Sequence, residues 1–488
     1  MTERILPKLS LLNLDQIDTI ISEAFKVLGE SGVYVEDDQA VELLIKNGAT
    51  YEGGNVVSLP KEMVEEAIQL TPTDLTLYSR EGEARAILKE GNCYFNTGGA
   101  AVKQMESDGL TTRPTTIADL VKMARLVENL PHVALQSTAL VPSDIPVEIS
   151  DSYRVYILLK HSRKPMLAGA FSEAGIKNIH ALLSAAVGGE KELAKKPRAV
   201  IDICPSAPLK WTRLACRNII DCAQLRLPIE FISVPMPGAC SPATLAGSVL
   251  LHTAELLSGI TLAQCVREHT PIIYGGAPMY FDMKTMSTCL ASLEASMMVA
   301  AYANIGKYLE LPIHAYGLLS DAKVIDFQAG LEDTMSGLLA ALAGVNIISG
   351  VGMLEFCRIT SLEKTAMDND VAGMILHLLK GLTVNAETLA TDLIIRKGPR
   401  SDYMGERHTL EWFRRESFAI SELIDRKSPK EEIDRGKDSI EKRAAKMVGH
   451  ILEAKSEQLE FARSQELDEA MRAIMKRYNI SSLPEFVD

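Results

Sequence analysis

Between about residue 90 and residue 385, short apolar runs alternate with longer amphipathic stretches. This rhythm is typical of strand and helix units wound around a parallel sheet, whose strands are near-continuous apolar runs because both faces are buried. Eight runs are predicted to be strands: 93–96, 133–140, 165–170, 199–204, 229–234, 271–274, 312–316 and 346–349. Eight units is the number that closes a TIM-type (β/α)8 barrel, and an open doubly wound sheet is the competing architecture.

The regions on either side of this rhythm have a different character. Residues 1–84 show mainly helical spacing and are predicted to form an N-terminal helical cap. Residues 85–385 form the predicted barrel, and residues 386–488 form a charged, helical C-terminal extension that packs under the barrel or builds an oligomer contact. The apolar run 337–354 approaches membrane length, but its polar residues and glycines favour a helix end followed by a buried strand.

Charge and cysteine usage narrow the range of functions. The net charge of −13 argues against a nucleic-acid partner, which would need a basic face, and against an anionic membrane surface. The eight cysteines form no CxxC pair and are interpreted as reduced core thiols. No signal peptide is expected at the N-terminus. We therefore expect a cytoplasmic enzyme, with a homo-oligomer as the usual state of such a protein.

Common cofactor motifs have little support. His252 and Glu255 lie three residues apart on one predicted helix, a spacing that suits a metal ion, but no further ligand pair completes a shell. A helix surface pair is the favoured interpretation, and no metal site is predicted. The glycines at 275–276 and 350–352 lack the rest of a dinucleotide or phosphate-loop fingerprint.

Aromatic residues recur at the predicted strand ends of a protein that is only 5% aromatic. These residues are Tyr94, Phe95, Trp211, Tyr274, Tyr280, Tyr316 and Phe356. Barrel enzymes keep their chemistry in the loops after the strands, and aromatic faces attract quaternary ammonium groups. The pattern indicates a cage for a methylated ammonium, although rings that simply pack the barrel mouth would look the same.

Three groups of motifs resemble the trimethylamine methyltransferase family. They are PMPGACSPATLAG at 235–247 with AELLSGI at 254–260, SDAK at 320–323 with QAG at 328–330 and Glu332, and HTL at 408–410 with Phe413, Arg414, Asp425 and Arg426. The resemblance runs over nearly the whole chain. It implies an enzyme that moves a methyl group from a small methylated amine to a corrinoid protein.

The resemblance also bears on the substrate. Founding members of the family contain pyrrolysine, whereas this chain has ordinary residues throughout, so it resembles the pyrrolysine-lacking branch. The loop 316–321 is the expected equivalent of the pyrrolysine position. Members of that branch demethylate quaternary amines such as glycine betaine, proline betaine, carnitine or γ-butyrobetaine. Several glycine betaine enzymes have a histidine after the last strand, where this chain has Ser349. That departure favours a bulkier betaine.

Site residues follow from the family and from the predicted strand ends. The expected cage is Phe95, Phe356, Tyr94 and Tyr316. The expected donors to a substrate carboxylate are Asn96, Lys323 and the backbone N–H groups of Gly350 and Gly352. Asp321 is expected to orient a neighbour or to add negative potential. No tightly bound cofactor is expected, because the sequence has no Asp-x-His-x-x-Gly corrinoid loop and the corrinoid would come on a separate cognate protein.

Two other functions remain open at this stage. A binding or sensing protein would keep the cage without catalysing transfer. An unrelated barrel lyase or aldolase would need a lysine or a metal shell at the strand ends, and Lys323 is the only lysine placed there.

Overall fold

The computed structural model describes residues 7–418, 421–426, 439–454 and 463–482. Eight parallel strands within them are β1 (Tyr94–Thr97), β2 (Val133–Ser137), β3 (Met166–Gly169), β4 (Ala199–Ile203), β5 (Ile229–Ser233), β6 (Ile272–Gly276), β7 (His314–Tyr316) and β8 (Ile347–Val351). Strands β1 to β6 pair in chain order, and β8 pairs with both β7 and β1. A parallel bridge between Tyr274 and Ile313 joins β6 to β7. The sheet therefore closes into the predicted barrel rather than an open sheet.

A helix follows each strand on the outside of the barrel. These helices are α1 (Ile117–Glu128), α2 (Ser150–His161), α3 (Gly175–Val187), α4 (Arg213–Leu225), α5 (Leu245–Val266), α6 (Leu293–Tyr308), α7 (Phe327–Ala343) and α8 (Leu362–Leu378). Polar N-caps start several of them, because a side-chain oxygen accepts a backbone N–H of the first turn. Thr244, Ser292, Asp326 and Ser361 do so for α5, α6, α7 and α8.

Two apolar segments of near-membrane length belong to the barrel core. Helix α5 is long and apolar enough to cross a membrane, yet 83% of its most apolar window is buried inside the protein. The run 337–354 divides as predicted into the end of α7 and the strand β8. Gly344 ends the helix with a positive φ of 87°, which glycine adopts without strain.

The N-terminal region contains strands as well as helices. Its helices are Leu14–Glu30, Asp38–Lys46 and Lys61–Leu70, and its strands Val33–Val35, Thr50–Gly53 and Val56–Ser58 form a small sheet with Lys210–Trp211. A hairpin of Leu75–Tyr78 and Ala84–Leu88 packs its apolar side chains against the lower lumen of the barrel. This hairpin closes the N-terminal end, so access to the lumen is from the carboxyl ends of the strands.

The loops after the strands add short elements around the mouth. Met353–Leu354, Ile359–Thr360, Lys103–Met105 and Thr112–Pro114 form a four-stranded sheet, which joins the loop after β8 to the loop after β1. Tyr280–Asp282 and Ser287–Cys289 form a hairpin after β6. Glu190–Lys195 is a short helix after α3, and Val147–Ile149 is a 3-10 turn before α2.

Five helices follow the barrel within the described residues. They are Ala386–Leu389, Thr391–Lys397, Arg407–Glu416, Ile440–Glu453 and Ser464–Arg477. The last two pack on the barrel through buried side chains such as Val448 and Met471, whereas the first three bury none. Residues 419–420, 427–438, 455–462 and 483–488 of the predicted extension lie outside the described residues.

Candidate active site

The lumen of the barrel has an apolar floor and a polar upper layer. Alternate residues of a barrel strand face the lumen. The floor is formed by Leu135, Leu167, Val200, Ile273 and Ile347 against the closing hairpin. A second layer lies above this floor. Its residues are either two positions further along the same strands or on neighbouring strands in register with those positions. They are Asn96, Gly169, Asp202, Glu230, Gly275, His314 and Ser349. Polar side chains therefore converge just below the mouth.

Four side chains of this polar layer form a continuous chain across the lumen. His314 Nδ1 lies 2.7 Å from Glu230 Oε1, although the angle is poor for a hydrogen bond. His314 Nε2 lies 2.7 Å from Ser349 Oγ, and Ser349 Oγ donates to Asn96 Oδ1 at 2.5 Å. Because the serine proton goes to the asparagine, the hydrogen bond between His314 and Ser349 requires the Nε2–H tautomer.

Several polar atoms of this layer have no hydrogen-bond partner among the described residues. They are Asn96 Nδ2, Asp202 Oδ1, His314 Nδ1 and both carboxyl oxygens of Glu230. Glu230 and Asn96 are fully buried, and His314 is 1% exposed. Buried polar atoms are normally satisfied, so a cluster of exceptions marks a place where a ligand or water completes the network.

Burial sets the protonation of the lumen. It raises the pKa of Glu230 well above its ordinary value. Burial, helped by the charge of Glu230, raises the pKa of Asp202 in the same direction. Burial lowers the pKa of His314 to about 4, so its imidazole is neutral near pH 7. Burial therefore favours the neutral forms of both carboxyl groups and of the histidine in this layer.

Two aromatic rings and one cation stand at the rim above this layer. Phe171 lies two residues after the end of β3 and is 65% exposed. Its ring lies beside the lumen residue Gly169, because its Cζ is 3.3 Å from the position that a Cβ on Gly169 would occupy. The Arg154 guanidinium lies 5.8 Å from the Phe171 ring and donates to the carbonyl of Thr138. Tyr316 stands edge-on to the His314 ring at 5.4 Å. The rim thus combines apolar faces with a positive charge.

Asp151 holds Phe171 in place. Its Oδ2 accepts the backbone N–H groups of Phe171 at 3.1 Å and Ser172 at 3.2 Å, and the Ser172 hydroxyl at 2.8 Å. Asp151 lies in the first turn of α2, three residues before Arg154, and is buried. One turn of α2 therefore orders both the exposed ring and the buried guanidinium at the mouth.

Two of the predicted cage residues do not face the mouth. Phe95 is fully buried, and it alternates along β1 with the lumen residues Tyr94 and Asn96, so its ring packs in the core outside the sheet. The hydroxyl of Tyr94 accepts the backbone N–H of Ile87 in the closing hairpin, so its ring lies at the floor. Both rings lie away from the mouth because they belong to β1 itself, where Phe95 faces outward and Tyr94 faces the closed end of the lumen.

Other predicted residues divide between the lumen and its surroundings. Asn96 and Tyr316 lie on the lumen side of their strands, as described above. The Gly352 N–H donates to Asp368 Oδ2 at 2.7 Å, so it is not free for a substrate carboxylate. Gly350 lies within β8, and a side chain there would meet the carbonyl of Gly317 on β7's loop rather than the lumen. The predicted Gly352 donor is therefore corrected, whereas the Gly350 donor stays a prediction.

Asp321, Lys323 and Phe356 form a separate group beside the mouth. Asp321 accepts the N–H groups of Leu290 at 3.1 Å and Ala291 at 2.9 Å, which ties the loop after β7 to the start of α6. Burial raises the pKa of Asp321 to about 6. Lys323 Nζ donates to the Asp321 carbonyl at 2.8 Å and lies 5.6 Å from the Phe356 ring centroid. This group braces the loops and shows no contact with the polar layer.

His252 and Glu255 are not a surface pair, because both are buried between α5 and the barrel. His252 Nε2 lies 3.0 Å from the Gly275 carbonyl, and its ring stacks on Tyr302 at 4.3 Å. Glu255 accepts the Ser233 hydroxyl at 2.5 Å and the Leu209 N–H at 2.9 Å. The pair braces strand ends. Among the described residues, no three histidine, cysteine, aspartate or glutamate side chains are grouped to hold a metal ion.

A buried ion triad supports the segment after β8. Lys364 Nζ lies 2.8 Å from Asp333 Oδ1 and 2.7 Å from Asp368 Oδ2, and all three side chains are at most 5% exposed. Asp368 in turn accepts the N–H of Gly352, whose positive φ of 86° turns the chain after the strand. The triad therefore fixes the loop that leaves the lumen beside Ser349.

A closed (β/α)8 barrel with polar side chains converging below its mouth defines a barrel enzyme. Residues 1–479 match the family described as trimethylamine methyltransferase (MTTB). The chain belongs to this family, as its sequence motifs indicated.

Similar proteins of known name are methyltransferases. The chain is 32% identical to a glycine betaine methyltransferase of Desulfitobacterium hafniense over 425 residues, which cover 87% of this chain and 88% of that protein. It is 32% identical to trimethylamine methyltransferase MttB1 of Methanosarcina mazei, with 86% of each chain covered. The monomethylamine methyltransferase MtmB of Methanosarcina barkeri has a similar fold, with a TM-score of 0.54, 12% identity, and 96% of this chain and 88% of that chain covered.

Sequence reasoning missed five residues of the site. They are Asp202, Glu230, His314, Arg154 and Phe171. Asp202 and Glu230 did carry a signal, because a charged residue inside a buried parallel strand is costly and is kept only for a reason. The signal for Phe171 was weaker. Alternate residues of a strand face the lumen, and Phe171 continues the alternation that begins with Leu167 and Gly169.

Proposed function

We propose that the protein transfers a methyl group from a betaine-type quaternary amine to the cobalt(I) of a corrinoid held by a separate protein. The candidate amines are proline betaine, carnitine, γ-butyrobetaine and glycine betaine. The family and the relatives named for trimethylamine and glycine betaine support a methylated amine as the donor.

The observation that carries this proposal is the composition of the lumen. Unpartnered carboxyl oxygens of Asp202 and Glu230 lie below the rings of Phe171 and Tyr316. A quaternary ammonium cannot donate hydrogen bonds, so it is bound by aromatic faces and by negative charge. Arg154 beside Phe171 supplies a cation of the kind that pairs with a carboxylate, and its pKa, lowered by burial to about 10, keeps it charged near pH 7. A zwitterionic betaine matches both halves of this arrangement.

The chemistry asks little of the protein beyond binding and positioning. When a methyl group leaves a quaternary ammonium, the remaining amine is neutral, so no proton has to be supplied for it to depart. The protein holds one N-methyl group toward the mouth and excludes water around it. The apolar floor prevents the substrate from sinking below the polar layer.

Ser349 bears on which betaine is taken. Its hydroxyl is already engaged by His314 and Asn96, so it offers no free donor to a substrate. Its side chain is small, and Gly169 and Gly275 contribute no side chain to the same layer. The lumen therefore suits a betaine larger than glycine betaine.

The methyl acceptor must reach the mouth from outside. The sequence has no Asp-x-His-x-x-Gly run of the kind that binds a corrinoid, so cobalt arrives on a partner protein as a second substrate. The floor is closed by the hairpin of Leu75–Tyr78 and Ala84–Leu88, which leaves the carboxyl ends of the strands as the docking face.

The test is anaerobic mixing of the purified protein with a cobalt(I) corrinoid protein and one amine at a time. We expect loss of the cobalt(I) absorbance with at least one of the four betaines, and a slower reaction with trimethylamine. Tight binding of a betaine without any loss of absorbance would instead identify a binding or sensing protein. Phe171→Ala should lower the rate, and Phe413→Ala, at an exposed position on the helix Arg407–Glu416, is the matched control.

A further inference from the structure

We propose that Asp202 and Glu230 together are the counter-ion of the substrate's quaternary ammonium, and that binding of this ammonium displaces one proton from the pair into solvent. The inference rests on the proposed function, since it takes a quaternary amine as the ligand. It adds that the site releases a proton when it binds the positively charged ammonium group.

The two carboxyl groups are placed side by side by the sheet. Asp202 on β4 and Glu230 on β5 are partners in the parallel register, so their side chains leave the sheet in the same direction. Gly169 is the partner of Asp202 on the other side, and Gly275 would meet Glu230 Cγ at 3.2 Å if it carried a Cβ. Two glycines therefore flank the pair, so no side chain from these positions covers the carboxyl groups.

The groups around the pair do not neutralise it. Within the described residues, no lysine or arginine forms an ion pair with either carboxyl group. The one basic side chain among them at ion-pair distance is His314 beside Glu230, and its imidazole is neutral near pH 7. Arg154 on α2 acts on Asp202 from a distance. A cation is therefore the missing component of this layer.

The proton balance follows from the chemistry of the ligand. Before binding, two neighbouring carboxyl groups lie buried without a counter-charge, and burial raises the pKa of each, so the protonated forms are favoured. A quaternary ammonium has a fixed charge, and its attraction to a nearby carboxylate favours the ionised form. One carboxyl O–H bond breaks, the proton passes to the buffer, and the ammonium takes the place of the proton, so the net charge of the lumen is unchanged.

Two consequences distinguish this arrangement from an aromatic cage alone. The affinity for a betaine should rise about tenfold per pH unit while the pair is protonated in the free protein, because one proton leaves per ligand. A neutral isostere should bind without this dependence. For γ-butyrobetaine that isostere is 5,5-dimethylhexanoate, in which a tert-butyl group replaces the trimethylammonium group.

The experiment is titration calorimetry of the full chain at one pH in buffers with different ionisation enthalpies. The probes are γ-butyrobetaine, carnitine, proline betaine and glycine betaine, with 5,5-dimethylhexanoate as the comparison that keeps the carboxylate but has an uncharged head group. We expect about one proton released per betaine bound and none for the isostere. The double variant Asp202→Asn with Glu230→Gln should abolish the release and weaken betaine binding, whereas Glu173→Gln, an exposed carboxylate at the rim, should retain both.

The outcomes separate the two proposals. Betaine binding with no proton release in the wild type would overturn the counter-ion inference and leave the proposed function standing. Failure of all four betaines to bind would overturn both. Because amides match the neutral carboxyl groups in shape, the double variant should unfold at or above the wild-type temperature, so loss of proton release in a folded protein can be assigned to the pair.

Discussion

Replacing Lys364 with methionine tests the buried triad that supports the loop after β8. The substitution removes the cation that lies 2.8 Å from Asp333 and 2.7 Å from Asp368, and it leaves two carboxyl groups buried without a counter-charge. Removing one partner of a buried ion pair costs about 3–5 kcal/mol. The triad is almost fully buried, so solvent screening reduces this figure little.

The magnitude can be expressed as a melting temperature. Unfolding entropy near the melting point is about 2.1 cal/mol/K per residue, which gives roughly 1 kcal/mol/K for 488 residues if they unfold together. Lys364→Met should therefore lower the melting temperature by about 3–5 °C. Thermal unfolding followed by circular dichroism measures this shift.

An exposed ion pair provides the matched control. Lys195 lies 3.3 Å from Glu192 on the protein surface, with side chains 72% and 53% exposed, so Lys195→Met should shift the melting temperature by less than about 1 °C. A second variant that adds Asp333→Asn to Lys364→Met should recover part of the loss. The reasoning is refuted if Lys364→Met melts within a degree of the wild type.

Other predictions concern the site and its surroundings. Phe171→Ala should weaken betaine binding about tenfold with an unchanged melting temperature, because its ring is exposed at the rim. Phe95→Ala should instead cost about 3–5 kcal/mol of stability, and equal effects of the two variants on binding would contradict the placement of these rings. Ser349→Ala leaves His314 Nε2 and Asn96 Oδ1 unpartnered and should cost about 1–3 kcal/mol, measured by denaturant unfolding; no loss would argue against the hydrogen-bonded chain. Because burial raises the Asp321 pKa to about 6, the stability it contributes when protonated is complete below about pH 3.8 and is lost as the pH rises through 6. The melting temperature of Asp321→Asn should therefore rise relative to that of the wild type between pH 4 and 7. A constant difference between the two melting temperatures across this range would refute the prediction.

The barrel could be predicted from the sequence because its signal is repeated eight times. Each predicted strand overlaps an observed one, since strands buried on both faces must be apolar along their whole length. The N-terminal sheet was not part of the predicted helical cap, and its pairing with Lys210–Trp211 joins segments far apart in the chain. No local pattern predicts such a contact.

The site was harder to predict because side chains change face at every residue of a strand. The predicted strand 93–96 overlaps β1, but the sequence did not show which of its residues face the lumen, so both Phe95 and Asn96 were expected at the mouth, although only Asn96 faces the lumen. Asp202, Glu230 and His314 come together only when β4, β5 and β7 close into one barrel. Aromatic content alone could not tell the exposed ring of Phe171 from the buried ring of Phe95, because the difference lies in strand parity and loop position.

Transfer of an isotopically labelled methyl group is the most direct test of the account. Betaines carrying N-CD3 groups would be incubated anaerobically with the protein and a cobalt(I) corrinoid protein, and both products would be analysed by mass spectrometry. The account predicts a CD3 group on the corrinoid and a betaine that has lost one methyl group in equal amount, with both reduced in Asp202→Asn. Unlabelled corrinoid with every betaine, from protein that is folded and binds them, would contradict it.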